Sequence, residues 1–211
     1  MPFAPSASLE GMGDLLLVRH GQTEWSRTHR HTGRTDVPLT AYGEQQAASL
    51  APVLARRDLV AVWTSPLERA RRTAELAGLT PQVDEDLLEW DNGEYEERTT
   101  AAIREERADW WLWIDGAPGG EDWQQVGERC ARTVARVEPQ LERGDVALFG
   151  HGHSLRALAA VWVGLPAWQG GIFTLDEASL SVAGHYRGHR VVKAWNDVTV
   201  HPEAPAEARP L

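Results

Sequence analysis

Three separated segments put imidazole or guanidinium groups at the ends of apolar runs. Arg19-His20-Gly21 follows the run 15–18, Ser65 and Arg69 follow 59–63, and Gly150-His151-Gly152 follows 145–149. A neutral imidazole is a nucleophile near neutral pH. A guanidinium offers a planar fork of N–H donors that matches phosphoryl oxygens. The acidic stretch 84–97 supplies carboxylates for proton transfer in Glu89, Asp91, Glu94 and Glu96, and composition does not choose among them. His151-x-His153 also has the look of a metal-ligand pair, but no Asp-His cluster follows it, so no metal is assigned. His29 and His31 read as loop residues lining a pocket.

The elements that must carry these groups alternate. Strands are read at 15–18, 59–63, 82–83 and 145–149, with two or three more between 172 and 195. Thr40 caps a helix through about Arg57. Ser65, Pro66 and Glu68 read as N-cap, first helical position and capping box of a helix reaching Ala77, with Gly78 as its stop. Further helices are read at 99–113, at 121–143 with Pro139 near its last turn, and at 154–163. This order implies a three-layer α/β/α sandwich around a mostly parallel sheet, with right-handed crossovers. Ligands of such sheets bind beyond the carboxyl ends of the strands, so the three segments should meet in one crevice. Two of them also open helices, whose free N–H groups suit phosphate. The chain reads as one domain, 1–211, with loose tails at 1–13 and 201–211.

A net charge of −10 argues against a general nucleic-acid binder and demands that positive charge be concentrated wherever an anion binds. No apolar run approaches the ~18 residues of a membrane span. The N-terminus lacks the basic start and apolar stretch of a Sec signal peptide. The single cysteine, Cys130, allows no intramolecular disulfide, which fits a reducing cytoplasm. Ten tryptophans read mainly as core and loop filler. A homodimer through a sheet edge is compatible with the sequence, without any feature that signals it.

The segments together resemble the histidine phosphatase superfamily in its phosphoglycerate-mutase-like branch. The matching motifs are LVRHGQTEW (17–25), TGRTDVPLT (32–40), TSPLERARRTA (64–74), LEWDNGEYE (88–96) and FGHGHSLR (149–156), in family order. The resemblance implies that fold, and a phosphomonoester hydrolase working through a phosphohistidine, with no metal or organic cofactor. It makes His20 the nucleophile and Arg19 and Arg69 the phosphoryl clamp. His151, protonated near phosphate, becomes a transition-state stabiliser, and Glu89 the acid with a raised pKa. Gly21, Thr23, Ser26, Thr32, Gly33, Gly152 and His153 are expected to contact a small phosphate ester, and Trp90 to stack on a sugar ring. Two positions depart from the family pattern: Ser26 stands where Asn is common and Glu97 where Gly is common. Glu97 is expected to add charge at the mouth. The wording around 89–91 and 150–153 is nearest to sedoheptulose-bisphosphatase-like members. The alternatives are a phosphoglycerate mutase, disfavoured by the short segment 99–120, and a non-catalytic phosphate-binding module.

Overall fold

The computed structural model describes residues 11–202 and 204. Six strands form one sheet in the order β3-β2-β4-β1-β5-β6: β1 (Leu15–Arg19), β2 (Leu59–Thr64), β3 (Gln82–Val83), β4 (Asp145–Gly150), β5 (Leu180–Tyr186) and β6 (His189–Asp197). The β3-β2-β4-β1 pairings are parallel, while β5 and β6 join antiparallel. The two central strands β1 and β4 are buried on both faces, being apolar from Leu15 to Val18 and from Val146 to Phe149. Leu15, Leu17, Val146 and Leu148 turn to one core and Leu16, Val18, Ala147 and Phe149 to the other.

The first core is closed by α7 (Trp123–Val137) and α8 (Gly152–Trp162), with α5 (Thr100–Glu106) and α6 (Leu112–Asp115) beside them. The second is closed by α2 (Ala41–Ser49), α3 (Ala51–Leu54) and α4 (Glu68–Leu76). The short α1 (Glu24–Arg27) follows β1. The arrangement is the three-layer α/β/α sandwich read from the sequence.

Several boundaries differ. The helix read at 40–57 breaks into α2 and α3 near Pro52, which lacks the N–H for an i→i−4 bond and crowds the preceding turn. The helix read at 99–113 ends at Glu106, where Arg107 leaves helical dihedrals. Ser65 does not cap α4: that helix starts at Glu68, with Leu67 as N-cap. The long helix begins one residue after Asp122, which forms a capping box with Gln125, and tightens to a 3-10 turn around Pro139. The ends are tied in where they are described. Gly13 N–H donates to Leu141 O, Tyr42 Oη donates to Pro202 O, and His201 lies against Ala178 O. The reading of loose tails at 1–10, 203 and 205–211 lies outside the described residues.

Candidate active site

Parallel pairing of β1 with β4 sets Arg19 opposite Gly150, and His20 N–H continues the ladder to Gly150 O at 3.0 Å. The residues after the two strands, His20 and His151, are thereby side by side, with ring centroids 5.2 Å apart at 60°. His20 is 4% exposed. Its Nδ1 lies 2.7 Å from Gly21 O, so Nδ1 carries the proton and Nε2 keeps its lone pair. Burial, then the charges of Arg69 and Arg19, push its pKa down to about 3.

Beside His20 opens a cavity of about 400 Å³. Arg19, Arg27, Arg30, Arg69 and Arg156 line it with Glu89, Asp176 and Glu177. This is where a chain of net charge −10 gathers its positive charge. Arg19 donates Nη1–H to Leu175 O and pairs through Nη2 with Glu177 at 3.4 Å. Its Nε–H is buried without a hydrogen-bond partner, and Gly152, with no side chain, lies against it. Arg69 is fully buried, a cost met by three acceptors: His151 Nδ1 (3.1 Å), Thr35 O (2.7 Å) and Gly33 O (2.8 Å). Burial lowers it to about 10, so it stays charged at neutral pH.

His151 is fully buried and does not line the cavity. Its Nδ1 accepts from Arg69 and its Nε2–H therefore donates to Ser65 Oγ at 2.8 Å. Burial, Arg69 and His20 hold it well below the usual imidazole range. In these surroundings the ring is neutral and supports Arg69; the sequence reading of a protonated His151 concerned a ring beside bound phosphate.

Glu89 is 6% exposed and alone among the acids of 84–97 lines the cavity. Glu96 instead binds the backbone of Arg34 and Thr35, and Asp91 accepts from Gly93 N–H at 2.9 Å. Oε1 of Glu89 accepts from Trp90 N–H (2.7 Å) and Ser154 N–H (2.8 Å), and Oε2 from His153 N–H (3.0 Å). Burial pushes its pKa up, but the hydrogen bonds from His153 outweigh that, leaving it well below the carboxylate range. The protein's own groups thus lower Glu89, and the raised pKa read from the sequence was tied to nearby phosphate.

The helix openings are also spoken for. Glu89 takes the His153 and Ser154 N–H groups in the first turn of α8, and Asp36 takes Glu68 N–H at the start of α4. Carboxylates thus occupy some of the helix-start N–H groups that a phosphate could take, while Gly152 at the start of α8 lines the cavity.

Of the other loop residues, Ser26, Thr32, Gly152 and His153 line the cavity, as do His29 and His31. Gly21, Thr23 and Gly33 stand behind it. Gly21 donates N–H to Thr73 Oγ1 at 3.0 Å, in a close approach where a Cβ would meet Gly43 O at 2.3 Å. Thr23 caps α1 and is fully buried. Trp90 is corrected outright: it has no exposure, donates Nε1–H to Glu121 O at 2.9 Å and packs edge-on to Trp113, so it has no face to offer a sugar. Glu97 pairs with the cavity arginine Arg30 at 2.9 Å and is not itself in the wall.

Among the wall residues that escaped the sequence reading are Arg156 and Glu177. Arg156 was readable, being three and four residues beyond His153 and Gly152 and so on one helical face. Glu177 had no signal, since it sits in the loop before β5. Burial raises its pKa, but Arg19, a backbone hydrogen bond and one from Ser26 hold it lowered. Among the described residues, no group of three or more His, Cys, Asp or Glu is arranged to hold a metal ion. No helix among them is long and apolar enough to cross a membrane.

Comparison with known proteins finds relatives along most of the chain. A Mycobacterium tuberculosis acid phosphatase is 41% identical over 90% of this chain and 94% of its own length. A Saccharomyces cerevisiae sedoheptulose 1,7-bisphosphatase is 38% identical over 71% of this chain and 67% of its own. The solved structure of a Mycobacterium tuberculosis open reading frame superposes with a TM-score of 0.84 at 40% identity, covering 87% of this chain and 97% of that one. The pattern of the histidine phosphatase superfamily (branch 1) matches residues 15–198, and the chain belongs to that superfamily.

Proposed function

We propose that this single-domain chain, a phosphatase of small phosphate esters, hydrolyses phosphorylated metabolites of the sugar-phosphate class through a phosphohistidine on His20 without a metal ion. The observation that carries the reading is the state of His20. It is a buried neutral imidazole with Nδ1–H given to Gly21 O and Nε2 left as a lone pair, next to the unpartnered Nε–H of Arg19.

Nε2 attacks phosphorus, the P–O bond to the alcohol breaks, and Arg19 and Arg69 meet the charge on the equatorial oxygens. The departing oxygen takes a proton from Glu89. That carboxyl must gain the proton as the phosphate dianion arrives, since a like charge raises its pKa. Water then attacks the phosphohistidine and returns its proton to Glu89, releasing inorganic phosphate and free His20. Cytoplasmic location and a homodimer through the outer edge of β6 complete the proposal. They are supported only by the single buried cysteine and by the position of that strand at the sheet's edge.

The test is phosphate release from sugar phosphates, phosphoglycerates, nucleotides and p-nitrophenyl phosphate in EDTA, with a coupled mutase assay alongside. Release that survives EDTA and vanishes in His20→Ala supports the reading. Activity only on adding a metal ion overturns it, and mutase turnover far above phosphate release makes the chain an isomerase instead.

A further inference from the structure

Arg19 and Glu177 both line the His20 cavity, and the carboxylate lies on the edge of the guanidinium that a phosphoryl group needs. A guanidinium takes an oxyanion best through two neighbouring donors in one plane, and Nε and Nη2 form such an edge. In Arg19 the two differ. Nε–H is buried against Gly152 without a hydrogen-bond partner, while Nη2 meets Glu177 Oε1 at 3.4 Å. Nη1 is given to Leu175 O. Arg69 has all three of its nitrogens committed, to His151, Thr35 and Gly33, so Arg19 holds the readier grip on an anion.

Glu177 is fixed in that place by its loop. Ala178 N–H donates to His20 O at 3.0 Å, and Asp176 N–H donates to Asn196 Oδ1 at 2.7 Å. Trp195 Nε1–H donates to Thr174 O at 2.6 Å. Among the described residues, Arg19 is the one cation within 4 Å of the carboxylate. A full charge-assisted N–H···O bond runs to about 2.7–2.9 Å. At 3.4 Å the pair is loose, so the carboxylate shields Nη2 without closing on it. Its charge stands beside the place that phosphoryl charge must enter, and like charges at such range weaken binding. A site built only to grip phosphate would have no use for that neighbour.

We infer that Glu177 is an internal competitor for the Arg19 fork, a positioning residue that lowers the site's hold on phosphate and so speeds release of the inorganic phosphate product. The inference rests on the reading of the His20 cavity as the phosphoryl-transfer site. In the empty site the carboxylate holds Arg19 in place. A bound phosphoryl group takes Nη2 from it, and once only the phosphate ion remains, the carboxylate returns and displaces it.

The experiment is calorimetry of inorganic phosphate with the wild type and with Glu177→Gln, Glu177→Ala and Glu177→Asp. The glutamine keeps the shape and removes the charge, the alanine removes both, and the aspartate keeps the charge. Affinity at least ten-fold tighter in Glu177→Gln and Glu177→Ala is expected, with Glu177→Asp close to the wild type. In turnover of p-nitrophenyl phosphate, KM should fall in the same two variants and inhibition by inorganic phosphate should strengthen, while kcat does not rise. A residue that merely supports Arg19 would do the opposite, since its loss would loosen the fork and weaken affinity. Unchanged, weaker or undetectable phosphate binding in those two variants overturns the inference. Tightening in Glu177→Gln alone also overturns it, by crediting the new amide donor rather than the lost charge, as does equal tightening in Glu177→Asp. Binding needs no turnover, which separates this from the function itself. If phosphate release fails in every assay while the tightening persists, the competitor stands and the hydrolytic reading falls.

Discussion

Replacing Glu89 by glutamine keeps the shape of the side chain and removes its charge. A glutamine with its carbonyl oxygen at the Oε1 position retains the N–H groups of Trp90 and Ser154. Its NH2 then stands at the Oε2 position and faces the His153 N–H, donor against donor. Leaving that buried donor unmet costs about 1–3 kcal/mol. Losing a negative charge at the start of α8 adds about 0.3–1 kcal/mol. A loss near 2 kcal/mol is expected in urea unfolding at pH 7. The sign of the pH dependence follows from the lowered carboxyl pKa. Its stabilisation is present above the unfolded value of 4.5 and is lost as pH falls through the folded value, so the two proteins converge in acid. The catalytic effect depends on the leaving group. Proton transfer contributes about 10²–10⁴-fold, so kcat for a sugar phosphate should fall by that order. The loss for p-nitrophenyl phosphate, whose phenolate leaves without a proton, should stay under about ten-fold. Equal losses on the two substrates would refute Glu89 as the acid, and undiminished stability would refute its account as the cap of α8.

His20 gives a second signature. Its folded pKa of about 3 lies below the unfolded 6.5, so the unfolded chain binds the proton more readily. Stability is full above pH 6.5 and is lost as pH falls toward 3, about 2 kcal/mol of it between 6.5 and 5. Urea titrations at those two pH values should show that slope in the wild type and a shallower one in His20→Asn, and equal slopes would contradict it. Gly33→Ala should disturb a site that the residue does not line. At φ +54° a Cβ costs about 1–2 kcal/mol, and it would stand 2.1 Å from Glu96 Oε1. Glu96 holds the 33–35 backbone, whose carbonyls hold Arg69, so thermal stability and kcat/KM should fall together. Retained activity with reduced stability would break that chain of contacts.

The central strands were legible because each is a short, largely apolar run bounded by turn residues, and the mostly parallel sheet followed from their alternation with helices. His20, Arg19 and Glu89 were found through motif order as well as type. What could not be read were the partners that arrive from distant segments. Nothing near Glu89 in sequence says that it caps α8, 64 residues on, and nothing near Asp36 says that it meets α4. Those two carboxylates occupy N–H groups in the first turns of the helices that had been read as suiting phosphate. Trp90 failed similarly: a tryptophan among acids looks exposed until Trp113 and Glu121 cover it. Arg156 shares a helical face with Gly152 and His153, but spacing says which face a residue shares and not what lies opposite.

The parallel seam between β1 and β4 also governs when the site comes into being. His20 and His151 are 131 positions apart, yet one rung of the ladder, from His20 N–H to Gly150 O, fixes their separation. Such a non-local pairing forms late, because the chain between must first be brought to heel at the cost of its loop entropy. During synthesis, β1 waits without its central neighbour until residue 150 has emerged, and its apolar positions have only β5, later still, on the other side. The nucleophile is made early and its setting late, so the chain acquires its chemistry only when its topology is complete.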